Sequence, residues 1–201
     1  MLVCFIRHGE TDWNLERRIQ GQTDIPLNAR GQEQARQLAS AAGNLALDAI
    51  YSSDLQRALD TAHAIGRQLD LPVQPLPALR ERSFGVLEGI TNHEAASLFP
   101  VAYAHHQSRT PDYAFETGES LLAFADRIRH LLAELHQQHA NQRIAWVAHA
   151  GILDNLYRFA RHKRLQDPRD FPLPHCTPVW FRYDDRAHVH ELDISPVHHK
   201  G

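Results

Sequence analysis

Residues Leu2 to Ile6 form an unbroken apolar run, and the chain passes from it straight into Arg7-His8-Gly9-Glu10-Thr11. A run of this length, closed by glycine, fits a strand covered on both faces, the kind found in parallel sheets flanked by helices. Two further segments repeat the pattern. Ala49-Ile50-Tyr51-Ser52 ends on Ser53-Asp54, and Ile144-Ala145-Trp146-Val147-Ala148 ends on His149. Helical periodicity lies between them. Asn28 reads as an N-cap, followed by Ala35, Leu38, Ala39 and Ala42, with Gly43 as the stop. Leu55, Ala58, Leu59, Ala62 and Ile65 share one face of a helix over about 55–69. Leu121, Phe124, Ile128, Leu131, Leu132 and Leu135 share one face of a long helix ending near His139. Strands alternating with helices predict an α/β fold with a largely parallel sheet.

The remaining elements are shorter. Trp13 to Pro26 reads as a loop. Val73 sits in a short strand among Pro72, Pro75 and Pro77, Asn92 to Leu98 reads as a helix, and Gly151 to Phe159 as another. The polar, aromatic-bearing stretch Tyr103 to Phe115 carries no clear period. Two closing strands, Val179 to Tyr183 and His188 to Ile194, flank Asp184-Asp185. No linker is long enough to divide the chain. One domain over 1–201 is expected, with an excursion at about 87–118 acting as a lid over the strand ends.

Charge and composition exclude several partners. The 201 residues carry a net charge of -3 with histidine neutral, so no nucleic-acid footprint is present. No apolar run reaches the 18 or so residues of a membrane span. No basic region precedes the first apolar run, so no secretory leader is expected. Cys4 and Cys176 do not make a disulfide framework, and a reducing cytoplasm is the expected compartment. Fifteen histidines raise the question of a metal. His105-His106 and His198-His199 are adjacent pairs whose side chains diverge, and His136 and His139 could share a helix face. No HExxH and no zinc spacing occurs, so no metal site is expected.

Arg7 and His8 follow the first strand, Arg57 lies one turn into the helix after the second, and His149 follows the strand at 144–148. Parallel strands bring these four to one rim of the sheet, where open α/β folds bind ligands. Two guanidinium forks and two imidazoles around one point make a phosphate pocket. Helix N-termini behind Asp54 and Gly151 would add N–H donors to the same anion.

The chain resembles the histidine phosphatase superfamily, in the branch that includes cofactor-dependent phosphoglycerate mutase. The matching stations are Arg7-His8-Gly9-Glu10-Thr11 with Trp13-Asn14; Gln20-Gly21; Ser52-Ser53-Asp54-Leu55 with Arg57-Ala58 and Thr61-Ala62; Leu79-Arg80-Glu81 with Phe84-Gly85 and Glu88-Gly89; Gly118-Glu119-Ser120; and Ala148-His149 with Gly151. The resemblance implies a three-layer α/β/α fold and a phosphatase acting on small phosphate monoesters. It implies His8 as the nucleophile that becomes phosphohistidine and Glu81 as the proton donor to the leaving oxygen. Arg7, Arg57 and His149 would hold the phosphoryl group, with Asn14, Gln20, Gly21 and Ala150 completing its contacts. Ala150 stands where many relatives carry a second glycine. Glu10, Asp12, Trp13 and Glu88 are expected to be structural.

A small phosphorylated metabolite is the expected partner, with no nucleic acid, membrane, metal or cofactor. The sequence leaves the oligomeric state open. His106, Arg109 and Tyr113 in the lid are candidate readers of the substrate. The runner-up activity is mutase-type phosphoryl transfer, which the short chain and the segment Glu81-Arg82-Ser83-Phe84-Gly85 disfavour. A non-catalytic phospho-ligand binder comes third, because His8, Arg57 and Glu81 are all present.

Overall fold

A computed structural model of the protein describes residues 1–193. The strands are β1 (Leu2–Arg7), β2 (Ala49–Ser52), β3 (Val73–Pro75), β4 (Arg143–Ala148), β5 (Pro178–Tyr183) and β6 (Val189–Leu192). They form one sheet in the order β3-β2-β4-β1-β5-β6. The first four run parallel, β5 lies antiparallel to β1, and β6 antiparallel to β5. The helices are α1 (Asp12–Leu15), α2 (Ala29–Ala41), α3 (Gln56–Leu69), α4 (Asn92–Leu98), α5 (Pro100–Gln107), α6 (Leu121–His139) and α7 (Ala150–Ala160).

Helices cover both faces, which accounts for the unbroken apolar runs. Val3 and Phe5 of β1 pack with Ile144 and Trp146 of β4 against Phe124 and Ile128 of α6 and Ile152 and Leu156 of α7. Cys4 and Ile6 point the other way and pack with Ile50, Ala145 and Val147 against Leu38 of α2 and Ala62 and Ile65 of α3. Phe5, Ile6 and Trp146 are fully buried. Burial of each such side chain is worth about 1.5–3 kcal/mol relative to exposure. The three-layer α/β/α expectation holds.

Several local expectations do not. Asp12–Leu15 is a helical turn rather than loop, because Thr11 caps it and Asn14 closes a capping box. The stretch after Pro100 is helical through Gln107, with the proline in the first turn, where its missing N–H costs nothing. Gly43 does not stop α2: the chain continues as a 3₁₀ turn, and the left-handed residue is Ala46. The last strand runs over Val189–Leu192, not from His188; Ile194, its expected end, and the pair His198-His199 lie outside the described residues. His136 and His139 bond separately, to Asp185 at 2.9 Å and to Tyr51 at 2.8 Å. Among the described residues, no helix is long and apolar enough to cross a membrane. Cys4 and Cys176 are free thiols.

The segment after β3 crosses the sheet end as an excursion with its own small core of Leu87, Ala95, Ala102 and Phe115. Glu88 ties its first turn down, accepting from Thr23 N and Oγ1 on one oxygen and from Phe84 N on the other. Trp13 packs over Gly89.

The loop after β1 is held by backbone contact with α2. A Cβ on Gly31 would strike the Glu10 carbonyl oxygen, and one on Gly9 would strike the Gly31 carbonyl. Gln34 also accepts from Glu10 N at 2.8 Å. Gly31→Ala would gain about 1 kcal/mol of helix propensity. Overpacking costs about 1–3 kcal/mol and should win. Urea denaturation of Gly31→Ala is therefore expected to show a net loss, with Gly43→Ala, which meets nothing within 4 Å, unchanged or slightly stabilised. A Gly31→Ala protein as stable as wild type would mean that the loop does not rest on α2.

Candidate active site

Three parallel strands end level. His8 N donates to Ala148 O at 2.9 Å and Ser53 N to Val147 O at 3.0 Å. This register brings Arg7-His8, Ser53 and His149 to one rim. His8 is only 3% exposed, with its ring centroid 5.2 Å from that of His149 and 5.6 Å from that of His175. Its Nδ1 lies 2.7 Å from Gly9 O. A carbonyl can only accept, so Nδ1 carries the proton and Nε2 holds a lone pair.

Two guanidinium groups flank this ring, that of Arg57 buried and that of Arg7 half-buried. Arg57 reaches from the first turn of α3 and donates to Thr23 O and Gly21 O, both at 2.8 Å. Arg7 donates to Leu173 O at 2.6 Å. Neither pairs with a carboxylate among the described residues. Burial lowers both pKa values to about 10, so both stay charged at neutral pH. Among the described residues, Arg7 Nε, Arg57 Nε, Gln20 Oε1 and His149 Nδ1 are buried with no hydrogen-bond partner. Such orphans are rare, and a bound polar ligand or water would satisfy them.

Burial, then Arg57 and Arg7, hold the His8 pKa well below its ordinary value. Burial and the same arginines, with His8 itself, do likewise to His149. Burial pushes Glu81 the other way, so its carboxyl is protonated more readily than an ordinary glutamate. Glu81 is fixed by Gly151 N at 2.9 Å and Arg82 N at 2.8 Å. A Cβ on Gly151 would collide with that carboxylate.

Gly21, in left-handed backbone at φ 53, joins the pocket through Arg57, while Gln20 beside it has its Oε1 buried and without a partner among the described residues. Asn14 is different. Its Oδ1 is committed to Thr11 N and Oγ1, both at 3.1 Å, which leaves only its amide N–H groups for a ligand. Ala150 opens α7 in helical backbone, so the position does not require glycine. Of the two helix N-termini, Gly151 N already serves Glu81, and Gln56 N at the start of α3 is taken by Asp24 Oδ1 at 2.8 Å. Leu55 caps α3 in place of Asp54, which instead pairs with Arg80 at 2.6 Å. Gln56 N is thus not free for an anion.

Ser53 and His175 were not foreseen. Ser53 Oγ lies 2.8 Å from His149 Nε2, and its position just past β2 matches that of His8 past β1, a signal that could have found it. His175 Nδ1 donates to His8 O at 2.7 Å from the loop before β5, where no sequence signal marks it. In the excursion, Tyr113 stacks on His105 at 4.0 Å. His106 and Arg109 instead line a cavity of about 170 Å³ that continues from Glu81, Ala150 and Gly151.

One group of metal-type side chains exists among the described residues: Asp184, His188 and His190, whose ligand atoms lie within 4.8 Å of one another. It sits at the β5–β6 turn. Because β5 runs antiparallel to β1, that turn lies at the opposite end of the sheet from His8.

Comparison with known proteins agrees with this geometry. The profile of the histidine phosphatase superfamily (branch 1) matches residues 3–192. The phosphatase PhoE of Bacillus subtilis is 37% identical, over 77% of this chain and 74% of its own. A metal-independent phosphoserine phosphatase of Arabidopsis thaliana is 39% identical, over 77% of this chain and 66% of its own. Among solved structures, a mycobacterial glucosyl-3-phosphoglycerate phosphatase in complex with VO3 superposes with a TM-score of 0.84 at 28% identity, covering 96% of this chain and 98% of that one. A rim of paired imidazoles and uncompensated arginines, on this sheet and with this profile, places the chain in the histidine phosphatase superfamily.

Proposed function

We propose that the protein is a phosphatase that hydrolyses small phosphate monoesters through a phosphohistidine on His8. The observation that carries this reading is the His8 Nδ1–Gly9 O hydrogen bond at 2.7 Å, which leaves the Nε2 lone pair among Arg7, Arg57 and His149. A neutral ring with a fixed tautomer is what a nucleophile needs, and the two charges that keep it neutral also attract the substrate dianion.

Nε2 forms a bond to phosphorus as the bond from phosphorus to the alcohol oxygen breaks, and that oxygen takes the Glu81 proton. Water then attacks the phosphohistidine, Glu81 accepts the water proton, and inorganic phosphate leaves with His8 restored. Charge spreads over the phosphoryl oxygens in the transition state, so the arginines lower the barrier more than the proton transfer does. His149, Gln20 and the amide of Asn14 complete the phosphate contacts, as does the Ala150 backbone. The excursion at 87–118 acts as the lid. The scheme runs in the cytoplasm and needs no metal, so activity should withstand EDTA. Loss with EDTA and recovery with zinc or magnesium would overturn it.

Replacing His8 by alanine should lower turnover by about 10⁴-fold or more. It should also abolish an acid-labile, alkali-stable phosphoryl adduct that forms on wild type from a labelled substrate, with the fold retained by circular dichroism. A label that persists in His8→Ala moves the nucleophile elsewhere.

Glu81 sets the pH dependence. Its protonated form is the active one, and its pKa is raised. Activity on alkyl phosphates should therefore be full below that raised pKa and fall as pH rises through it. General-acid assistance is typically worth about 10²–10⁴. Glu81→Gln should slow alkyl phosphates by that factor and flatten the alkaline limb, with a much smaller loss on p-nitrophenyl phosphate, whose leaving group needs no proton. Arg57→Ala should slow both substrates alike. Equal losses for Glu81→Gln would remove it as the acid.

A further inference from the structure

The β5–β6 hairpin carries a side-chain cluster for which the phosphate chemistry has no use. Tyr183 pairs with Val189, so Asp185, Arg186 and Ala187 make the turn between Asp184 and His188. Ala187 is in left-handed backbone at φ 61, the usual close of a three-residue hairpin loop. Asp184 holds this loop from inside. Its N–H donates to His188 O at 3.1 Å, and its carbonyl accepts from Ala187 N at 3.0 Å. Its Oδ1 accepts from Arg186 N at 3.0 Å and from His188 N at 2.9 Å. The second carboxylate oxygen, Oδ2, is left for two imidazoles. His190 Nε2 lies 2.8 Å from it and His188 Nδ1 4.0 Å.

Strand geometry explains the meeting. Residues two apart on a strand share a face, so His188 and His190 project together, and Asp184 stands across the turn from the first. The three ligand-type atoms lie within 4.8 Å of one another. Four-coordinate zinc, with bonds of about 2.0–2.1 Å, sets its ligands about 3.3 Å apart. The Asp184–His190 pair is already closer than this, and His188, 58% exposed, is free to close its own gap. Among the described residues the His188 ring makes no hydrogen bond, and the His190 ring makes only the one to Asp184. Arg182 stands opposite His190 in register, and Asp185 adds a negative charge beside Asp184. Both are exposed and screened by solvent, so neither decides what binds. Two imidazoles and one carboxylate suit zinc and its neighbours rather than calcium or magnesium, which take oxygen ligands.

We propose that Asp184, His188 and His190 form a transition-metal site, with water as the fourth ligand of a tetrahedral zinc. The metal takes the place of the hydrogen that His190 Nε2 shares with the carboxylate, and the neutral ring keeps its proton on Nδ1. The proposal does not rest on the phosphatase reading. The six residues of β1 separate the site from His8 by roughly 20 Å at about 3.3 Å per residue. The metal therefore stabilises the hairpin at the sheet edge and takes no part in phosphoryl transfer.

The test is a titration of the full chain, first stripped with EDTA, with zinc alone in competition with a chromophoric chelator. Wild type should take up one equivalent that His188→Ala and His190→Ala each bind at least about tenfold more weakly, a loss that even an outer-sphere partner of a metal can cause. At about a hundred times Kd, zinc should raise the wild-type Tm by about 5 °C and leave both variants unmoved. The two side chains are 58% and 39% exposed, so their removal leaves the core alone. Turnover of p-nitrophenyl phosphate should be the same in wild type and both variants, with zinc or with EDTA. Zinc taken up equally by wild type and both variants lies on other groups and overturns the site, as does the absence of any uptake by wild type.

Discussion

Two desolvated guanidinium groups, Arg57 buried and Arg7 half-buried, with only carbonyl partners among the described residues, are the constraint around which the molecule is arranged. Arg7 and Arg57 rest on Leu173, Gly21 and Thr23 oxygens, and their Nε atoms are unpartnered. Carbonyl dipoles soften the desolvation cost of such charges without cancelling it. The scaffold must therefore hold them against a standing penalty, and its most rigid part does so. Arg7 closes a strand whose core residues are fully buried, and Arg57 sits on a helix whose apolar stripe is pinned to the same sheet. A phosphate dianion offsets the penalty in one step, so the energy stored in the pocket becomes affinity and selectivity for that charge.

The same charges sort the titratable groups. His8 and Glu81 both lose solvent, and burial alone would drive each toward its neutral form. For the imidazole, neutral means an available lone pair. For the carboxyl, it means a transferable proton. One environment thus prepares the proposed nucleophile and the proposed acid in complementary states, with the arginines reinforcing the first and opposing the second. The opposition is offset locally: Gly151 has no side chain, which lets Glu81 approach the start of α7, and two backbone N–H groups fix its oxygens. Orientation is gained at some expense to the pKa shift, because N–H donors favour the charged form.

How much of this was legible in sequence follows from which interactions are local. Strands buried on both faces must read as unbroken apolar runs, so β1, β2 and β4 and the polar residues at their ends were visible, and parallel topology then placed Arg7, His8, Arg57 and His149 together. Helix α5 was not visible. Its Pro100 reads as a break although it occupies a first turn, and eight residues packed on a small satellite core carry little periodicity. Asp54 looked like a cap because Asp commonly is one, but a partner 26 residues away, Arg80, claims it. Asn14 was expected at the phosphate yet spends its carbonyl on Thr11, a pairing that needs the backbone turn to be seen. His175 approaches His8 from 167 residues away, and no spacing rule reaches that far.

The division between sheet rim and excursion also explains why the cavity beyond Glu81 was the least legible part. The phosphate end draws on three strand ends in one register, where a change in any of them disturbs the whole core. The cavity beyond Glu81 draws on Arg82 and Phe84 at the root of the excursion, Arg109 inside it, and Asp154 and Arg169 on and beyond α7. These groups meet only through tertiary contacts such as the Arg109–Asp154 pair at 2.8 Å, and the excursion packs chiefly on its own small cluster. Substitutions there can alter size and charge without touching Leu2 to Arg7. A fold so divided keeps one chemistry fixed while the group it is applied to varies. Among these residues, Asp154 couples the halves. It sits one turn beyond Gly151, whose N–H holds Glu81, and it holds Arg109 of the excursion, so the positions of Arg109 and Glu81 rest on the same short helix.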